Sequence, residues 1–147
     1  MSVAIGLGCA DFPFSGAAAY WRWIDMCEAG GVDSIWQTDR IVSRQPFLES
    51  MTTMAALAGR TRRMRFGMNV VSLAFRDPVL LAKQCATIDV LSEGRLLPAF
   101  GIGSIRNLQR VRFGGVEYVI REFCRQLRQF LLDCIEPFTF GANECDA

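Results

Sequence analysis

Four short apolar runs, each separated from the next by a segment of helical periodicity, constrain this chain more than anything else in it. They are Val3 to Cys9 (VAIGLGC), Val32 to Thr38 (VDSIWQT), Met64 to Leu73 (MRFGMNVVSL) and Arg95 to Ile102 (RLLPAFGI). Each is apolar nearly throughout instead of alternating, which is how a strand reads when both faces of its sheet are covered. Between them, Ala17 to Ala29, Pro46 to about Gly59, and Pro78 to Leu91 carry apolar residues at helical spacing. Gly30-Gly31 and Gly94 stop the first and third helices. Pro46 and Pro78 suit opening positions, where a missing N–H costs nothing. The order β-α-β-α-β-α-β predicts an α/β fold with a parallel sheet and right-handed crossovers. Ligands of such folds sit beyond the carboxyl ends of the strands. The candidate site is therefore Cys9 and Asp11, Thr38 to Arg40, Asn69 to Ser72, and Gly101 to Ser104.

Several function classes are disfavoured. The chain of 147 residues has room for one domain with a real core. No apolar run approaches the roughly 18–20 residues that cross a membrane, and the amino terminus lacks the basic-then-apolar pattern of a signal peptide. A net charge of +1 with intermixed signs argues against nucleic acid as a partner. There is no histidine, so Ser–His and Cys–His nucleophile systems are excluded. A zinc site would have to use cysteines and carboxylates alone, and none is expected. The six cysteines form no CxxC pair. Cys27 and Cys85 are expected as small buried hydrophobes in helices, in a reducing, cytoplasmic compartment.

After Ser104 the character changes. Ile105 to Arg112 is basic and irregular, Gly114-Gly115 reads as a turn, and Val116, Ile120, Phe123, Leu127, Phe130 and Cys134 form a helical stripe. The expected organisation is a β/α region over 1–104 and a divergent basic loop, amphipathic helix and tail over 105–147.

Three segments carry a resemblance. AGGVDSIWQTDR (29–40), PFLESMTTMAALAGRTRRMRFGMNVV (46–71) and RDPVLLAKQCATIDVLSEGRLLPAFGIGS (76–104) resemble the luciferase-like monooxygenase family, the last through its "LDxLSxGR" turn and "GxG" strand. The resemblance covers Val3 to Ser104. It implies parallel (β/α) units of a TIM-type barrel, of which this chain would supply about half. It also implies FMN or a deazaflavin coenzyme at the carboxyl face, and oxidation of a small organic substrate with molecular oxygen or by hydride transfer. Open strand edges and an uncovered apolar face would favour pairing into a homo-oligomer. That leaves a second reading, a non-catalytic half barrel that pairs with another subunit. A third, an unrelated phosphate-binding α/β enzyme, would have only Gly101 to Ser104 as a cradle.

Within the resemblance, Asp39 and Arg40 stand where many relatives carry an Asp-His pair. Arg40 replaces the histidine. A guanidinium cannot act as a base near neutral pH but can stabilise an anion, either a charge developing on a reduced flavin or a substrate carboxylate. Proton abstraction would fall to Asp39 or to water. The bland alternative is a surface Asp39–Arg40 pair closing a loop. Asn69-Val70 lies where relatives carry a non-proline cis peptide under the flavin ring; the alternative is an ordinary strand. Gly101, Gly103 and Ser104 would bring backbone N–H groups to the flavin edge, or the glycines would simply serve close packing. GxG lacks the rest of a dinucleotide fingerprint. Glu49, in the first turn of the second helix, and Asp89 and Arg95, expected to bridge, read as structural. Trp21, Trp23 and Trp36 read as core, and Arg60, Arg62, Arg63 and Arg65 as a solvated connection.

Overall fold

The computed structural model describes residues 3–41 and 43–101. Gly103, Ser104 and everything expected of residues 105–147 lie outside the described residues. Strand β1 (Gly6–Cys9) leads into helix α1 (Ala17–Ala29), β2 (Ser34–Gln37) into α2 (Ser50–Arg60), and β3 (Arg65–Met68) and β4 (Val71–Ser72) into α3 (Pro78–Leu91). Strands β5 (Leu96–Leu97) and β6 (Phe100–Gly101) follow. All pairings are parallel: β1-β2-β3-β5 form one sheet and β4-β6 a second ladder. Strands are neighbours in chain order, as in a barrel; a doubly wound sheet reverses direction in its middle. The expected class, parallel β/α units of a TIM-type barrel, is the observed one.

The register assigns the two faces. Leu7, Ile35, Phe66 and Leu96 lie in one cross-strand row. This row packs against Tyr20, Ile24 and Cys27 of α1, Met51, Met54 and Leu57 of α2, and Leu81, Cys85 and Ile88 of α3. Cys27 and Cys85 are buried, as expected. Gly8, Trp36, Gly67 and Leu97 form the adjacent row, which points to the opposite face. A Cβ at Gly67 would overlap the Leu97 carbonyl and come within 2.9 Å of the Trp36 ring. Glycine thus makes room for the indole on the face away from the helices. Trp36 is therefore not a core residue, contrary to expectation, whereas Trp21 and Trp23 do pack against the core.

Three other expectations are corrected. The third strand breaks after Met68 and resumes at Val71, and Leu73–Phe75 forms a turn of 3₁₀ helix. The fourth strand is interrupted at Pro98-Ala99, where proline has no N–H to offer a ladder. Helix α2 opens at Ser50 and not at Pro46, because the Glu49 carboxylate accepts the Met51 and Thr52 N–H groups and so caps it. On α3 the buried stripe is Leu81, Ala82, Cys85 and Ile88. Leu80 and Leu91 point outward, 57% and 69% exposed.

The amino ends of the strands are tied by polar staples. The Glu28 carboxylate accepts the Arg62, Arg63 and Met64 N–H groups. Burial opposes ionisation there, but those N–H groups together with the Arg63 charge outweigh it and hold Glu28 below the usual glutamate range. Arg95 does not bridge to Asp89 as expected. It donates to the Ser92, Met64, Ala58 and Thr61 carbonyls and to the Thr61 hydroxyl.

Candidate functional site

The carboxyl ends of β2, β4 and β6 converge. At the end of β2, buried Gln37 donates through Nε2 to the Leu48 carbonyl at 2.7 Å, and its own carbonyl accepts the Asn69 N–H at 2.8 Å. Two residues on, Asp39 is buried. Its Oδ1 accepts from Ser50 Oγ at 2.9 Å and Arg76 Nη2 at 2.8 Å, and its Oδ2 accepts the Ser72 N–H at 3.0 Å. Arg76 reaches onward through Nη1 to Glu49 Oε1 at 2.7 Å. Burial again opposes ionisation of Glu49, but the Thr52 and Met51 N–H groups, the Thr52 hydroxyl and Arg76 lower its pKa below the usual range.

The surface pair Asp39–Arg40 does not form. Asp39 turns inward to Arg76, while Arg40 is exposed and lies over the Phe47 ring, 5.1 Å from its centroid. A carboxylate that already holds a guanidinium, a hydroxyl and a backbone N–H is an anchor, poorly placed to take a proton from a substrate. Arg40 keeps its donors at the rim.

Beside this cluster is a ledge. The Asn69-Val70 peptide bond is cis. Both residues are exposed, Val70 by 38%, between buried Met68 and Val71. The Val71 N–H donates to the Ala99 carbonyl at 2.9 Å, and Ser72 is in register with Gly101. A Cβ on Gly101 would lie 2.6 Å from Val70 Cγ2. The close approach that glycine permits here is thus to the Val70 side chain. Asn69, Val70 and Gly101, three of the residues expected to meet a cofactor, come together.

Other features lie apart. A cleft of ≈ 230 Å³ opens between α1 and α2, lined by Phe12, Tyr20, Trp21 and Leu48 among others. It belongs to the helix layer and shares Leu48, Glu49 and Thr52 with the site. Burial pushes the Cys85 thiol up to about 11. Burial, then the Asp11 carboxylate and Cys27, also raise Cys9. These two thiols are therefore protonated at neutral pH and not poised as nucleophiles.

Ser72 lies in the expected strand-end set, whereas Ser50 and Arg76 carry no motif that marks them. The available signal is weak: Arg76 is the first charge after the third strand segment, three residues beyond Leu73.

Comparison with known proteins places the chain. The model of the family "Luciferase-like monooxygenase" matches residues 15–131, continuing beyond Ser104, where the resemblance read from the sequence stops. The chain is 32% identical over 98 residues to an F420-dependent glucose-6-phosphate dehydrogenase of Amycolatopsis mediterranei, covering 62% of this chain and 28% of the relative. It is 34% identical over 83 residues to limonene 1,2-monooxygenase of Rhodococcus erythropolis, covering 56% and 18%. Its fold matches the oxygenating constituent of 3,6-diketocamphane monooxygenase from Pseudomonas putida, solved with FMN. The TM-score there is 0.71 at 18% identity, over 87% of this chain and 39% of that one. The chain thus spans less than a third of the length of these two curated relatives.

Proposed function

We propose a function from one premise: the chain belongs to the luciferase-like monooxygenase family. In this reading it carries the carboxyl-end ledge of a flavin- or deazaflavin-dependent oxidoreductase acting on a small organic substrate. The observation that carries it is the meeting of Asn69, Val70 and Gly101 beside the buried Asp39 cluster. These residues fit such a coenzyme. Val70 offers an exposed aliphatic surface to a flat ring, and Gly101 leaves room for the Val70 side chain. The Asn69 side-chain amide adds a donor pair and an acceptor at the edge. When bound, FMN or a deazaflavin coenzyme supplies hydride transfer or, with molecular oxygen, oxygenation; the relatives named above include a dehydrogenase and monooxygenases.

The chain's own groups divide the remaining work. Asp39 holds the Ser72 N–H and Arg76, so that the ledge keeps its shape. The Arg40 guanidinium faces negative charge on the substrate or charge that develops during reaction. Water takes any proton that is released. A reducing, cytoplasmic setting fits the free thiols of Cys9, Cys27 and Cys85.

Absorbance and fluorescence titration of the chain with FMN and with a deazaflavin coenzyme, oxidised and reduced, tests this reading. Saturable quenching or a spectral shift is expected. Absence of any change with all four ligands refutes it.

A second reading is favoured by α3, where Val79, Leu80, Val90 and Leu91 are each more than half exposed. Here the chain is a non-catalytic half barrel that pairs through apolar surface. Light scattering that finds only a monomer across the accessible concentration range eliminates it.

A further inference from the structure

We propose that Arg76 is the positioning residue of this site: by clamping Asp39 and Glu49 it fixes the Asn69–Ser72 ledge on which the coenzyme rests. The inference rests on the reading of that ledge as the coenzyme site.

Arg76 stands at the junction of three elements. Nη2 binds the carboxylate that follows β2, and Nη1 binds the carboxylate that caps α2. Asp39 passes the first contact on to the backbone of β4 through the Ser72 N–H, and to α2 again through Ser50. Ser72 is in register with Gly101, and Gly101 abuts the Val70 side chain. One guanidinium is therefore linked, through a single carboxylate, to β4, and through the pairing of β4 with β6 to the second strand of the ledge.

A stabilising role alone describes this arrangement poorly. The Asp39 and Arg76 side chains are 2% and 11% exposed, and buried ion pairs are weak contributors to stability because both charges lose water. Buried polar atoms normally have a hydrogen-bond partner. Arg76 Nε is buried and, among the described residues, has no hydrogen-bond partner. The guanidinium is oriented by its two carboxylates at the expense of its third donor edge. A positioning role accounts for that orientation, because the planar fork fixes two carboxylates at a set distance and angle, which a lysine cannot do.

The test uses the full chain and the variants Arg76→Met and Arg76→Lys. The double variant Asp39→Asn/Arg76→Met, which leaves no unpaired buried charge, carries the test if Arg76→Met does not fold. Two readouts are taken: amide exchange at Ser72 relative to Ile35 in β2, and titration with FMN and a deazaflavin coenzyme. The expected result for Arg76→Met is exchange at Ser72 faster by about tenfold or more, the loss expected for one charge-assisted contact, with Ile35 little changed. Coenzyme binding weakens by about tenfold or more in parallel, and Arg76→Lys recovers only part of either effect. Equal acceleration at Ser72 and Ile35 would show a merely global role and overturn the proposal. So would unchanged exchange at Ser72, or faster exchange with unaltered coenzyme binding. Failure of the wild-type chain to bind either coenzyme overturns the reading of the ledge itself, and the exchange data then still report whether the clamp exists.

Discussion

Arg95 and Arg76 are partly buried guanidiniums at opposite ends of the same set of strands, and they are built differently. Arg95, at the amino end of β5, donates to neutral oxygens: four carbonyls and the Thr61 hydroxyl. It closes the carboxyl-terminal turn of α2, where a cation complements the helix dipole. Arg76, at the carboxyl end of β4, is shared between two carboxylates and leaves Nε without a partner among the described residues. The first satisfies carbonyls that would otherwise be buried and bare. The second holds charges that neighbour the exposed Asn69-Val70 ledge. Barrel enzymes separate these tasks in the same way, with stability at the amino face and chemistry at the carboxyl face.

The separation can be broken or sharpened by experiment. The largest effect is expected at the amino end. Arg95→Ala removes several charge-assisted hydrogen bonds and should lower unfolding free energy by about 3–5 kcal/mol, measured by urea denaturation. A loss below about 1 kcal/mol would erase the contrast with Arg76. Next, Gly67→Ala forces a methyl group against the Leu97 carbonyl and the Trp36 ring. It should cost about 1–3 kcal/mol by overpacking, read as a drop in melting temperature.

A smaller effect is tied to pH. Glu28 and Glu49 both have folded-state pKa values lowered from 4.5. A lowered carboxylate pKa gives stability that is complete above the unfolded value and is lost as pH falls through the folded one. Stability should therefore decline below about pH 4.5, and Glu28→Gln should flatten part of that decline. If the variant follows the wild-type pH profile, the amino-end staple is not electrostatic. The smallest effect concerns thiols. Half-buried Cys9 should react with a neutral thiol reagent before buried Cys85, whose pKa is pushed up to about 11. The reverse order, read by mass spectrometry, would place Cys85 at an accessible surface.

Much of this was legible in the residues. Continuous apolar runs separated by helical periodicity predicted the β/α order and the parallel sheet. The resemblance points to Asn69, Val70 and Gly101, and these residues meet. What escaped reading depended on contacts between distant segments. Pro46 signals a helix start, yet the Glu49 carboxylate caps the helix later. Trp36 looks like core in a one-dimensional pattern. Its facing is set by register against Gly8 and Gly67, which sequence alone does not supply. Adjacency offers Arg40 as a partner for Asp39, whereas the observed partner is Arg76, 37 residues away, and no local spacing rule reaches that far.

The central claim is that the carboxyl-end ledge, and not the amino-end staples, receives the coenzyme. Amide exchange of the full chain, with and without saturating FMN or deazaflavin coenzyme, tests it most directly. Protection should appear at Asn69 to Ser72 and at Gly101, with Arg62 to Met64 and Arg95 unchanged. Coenzyme-dependent protection centred on the Arg95 end, or none at the ledge, would contradict it.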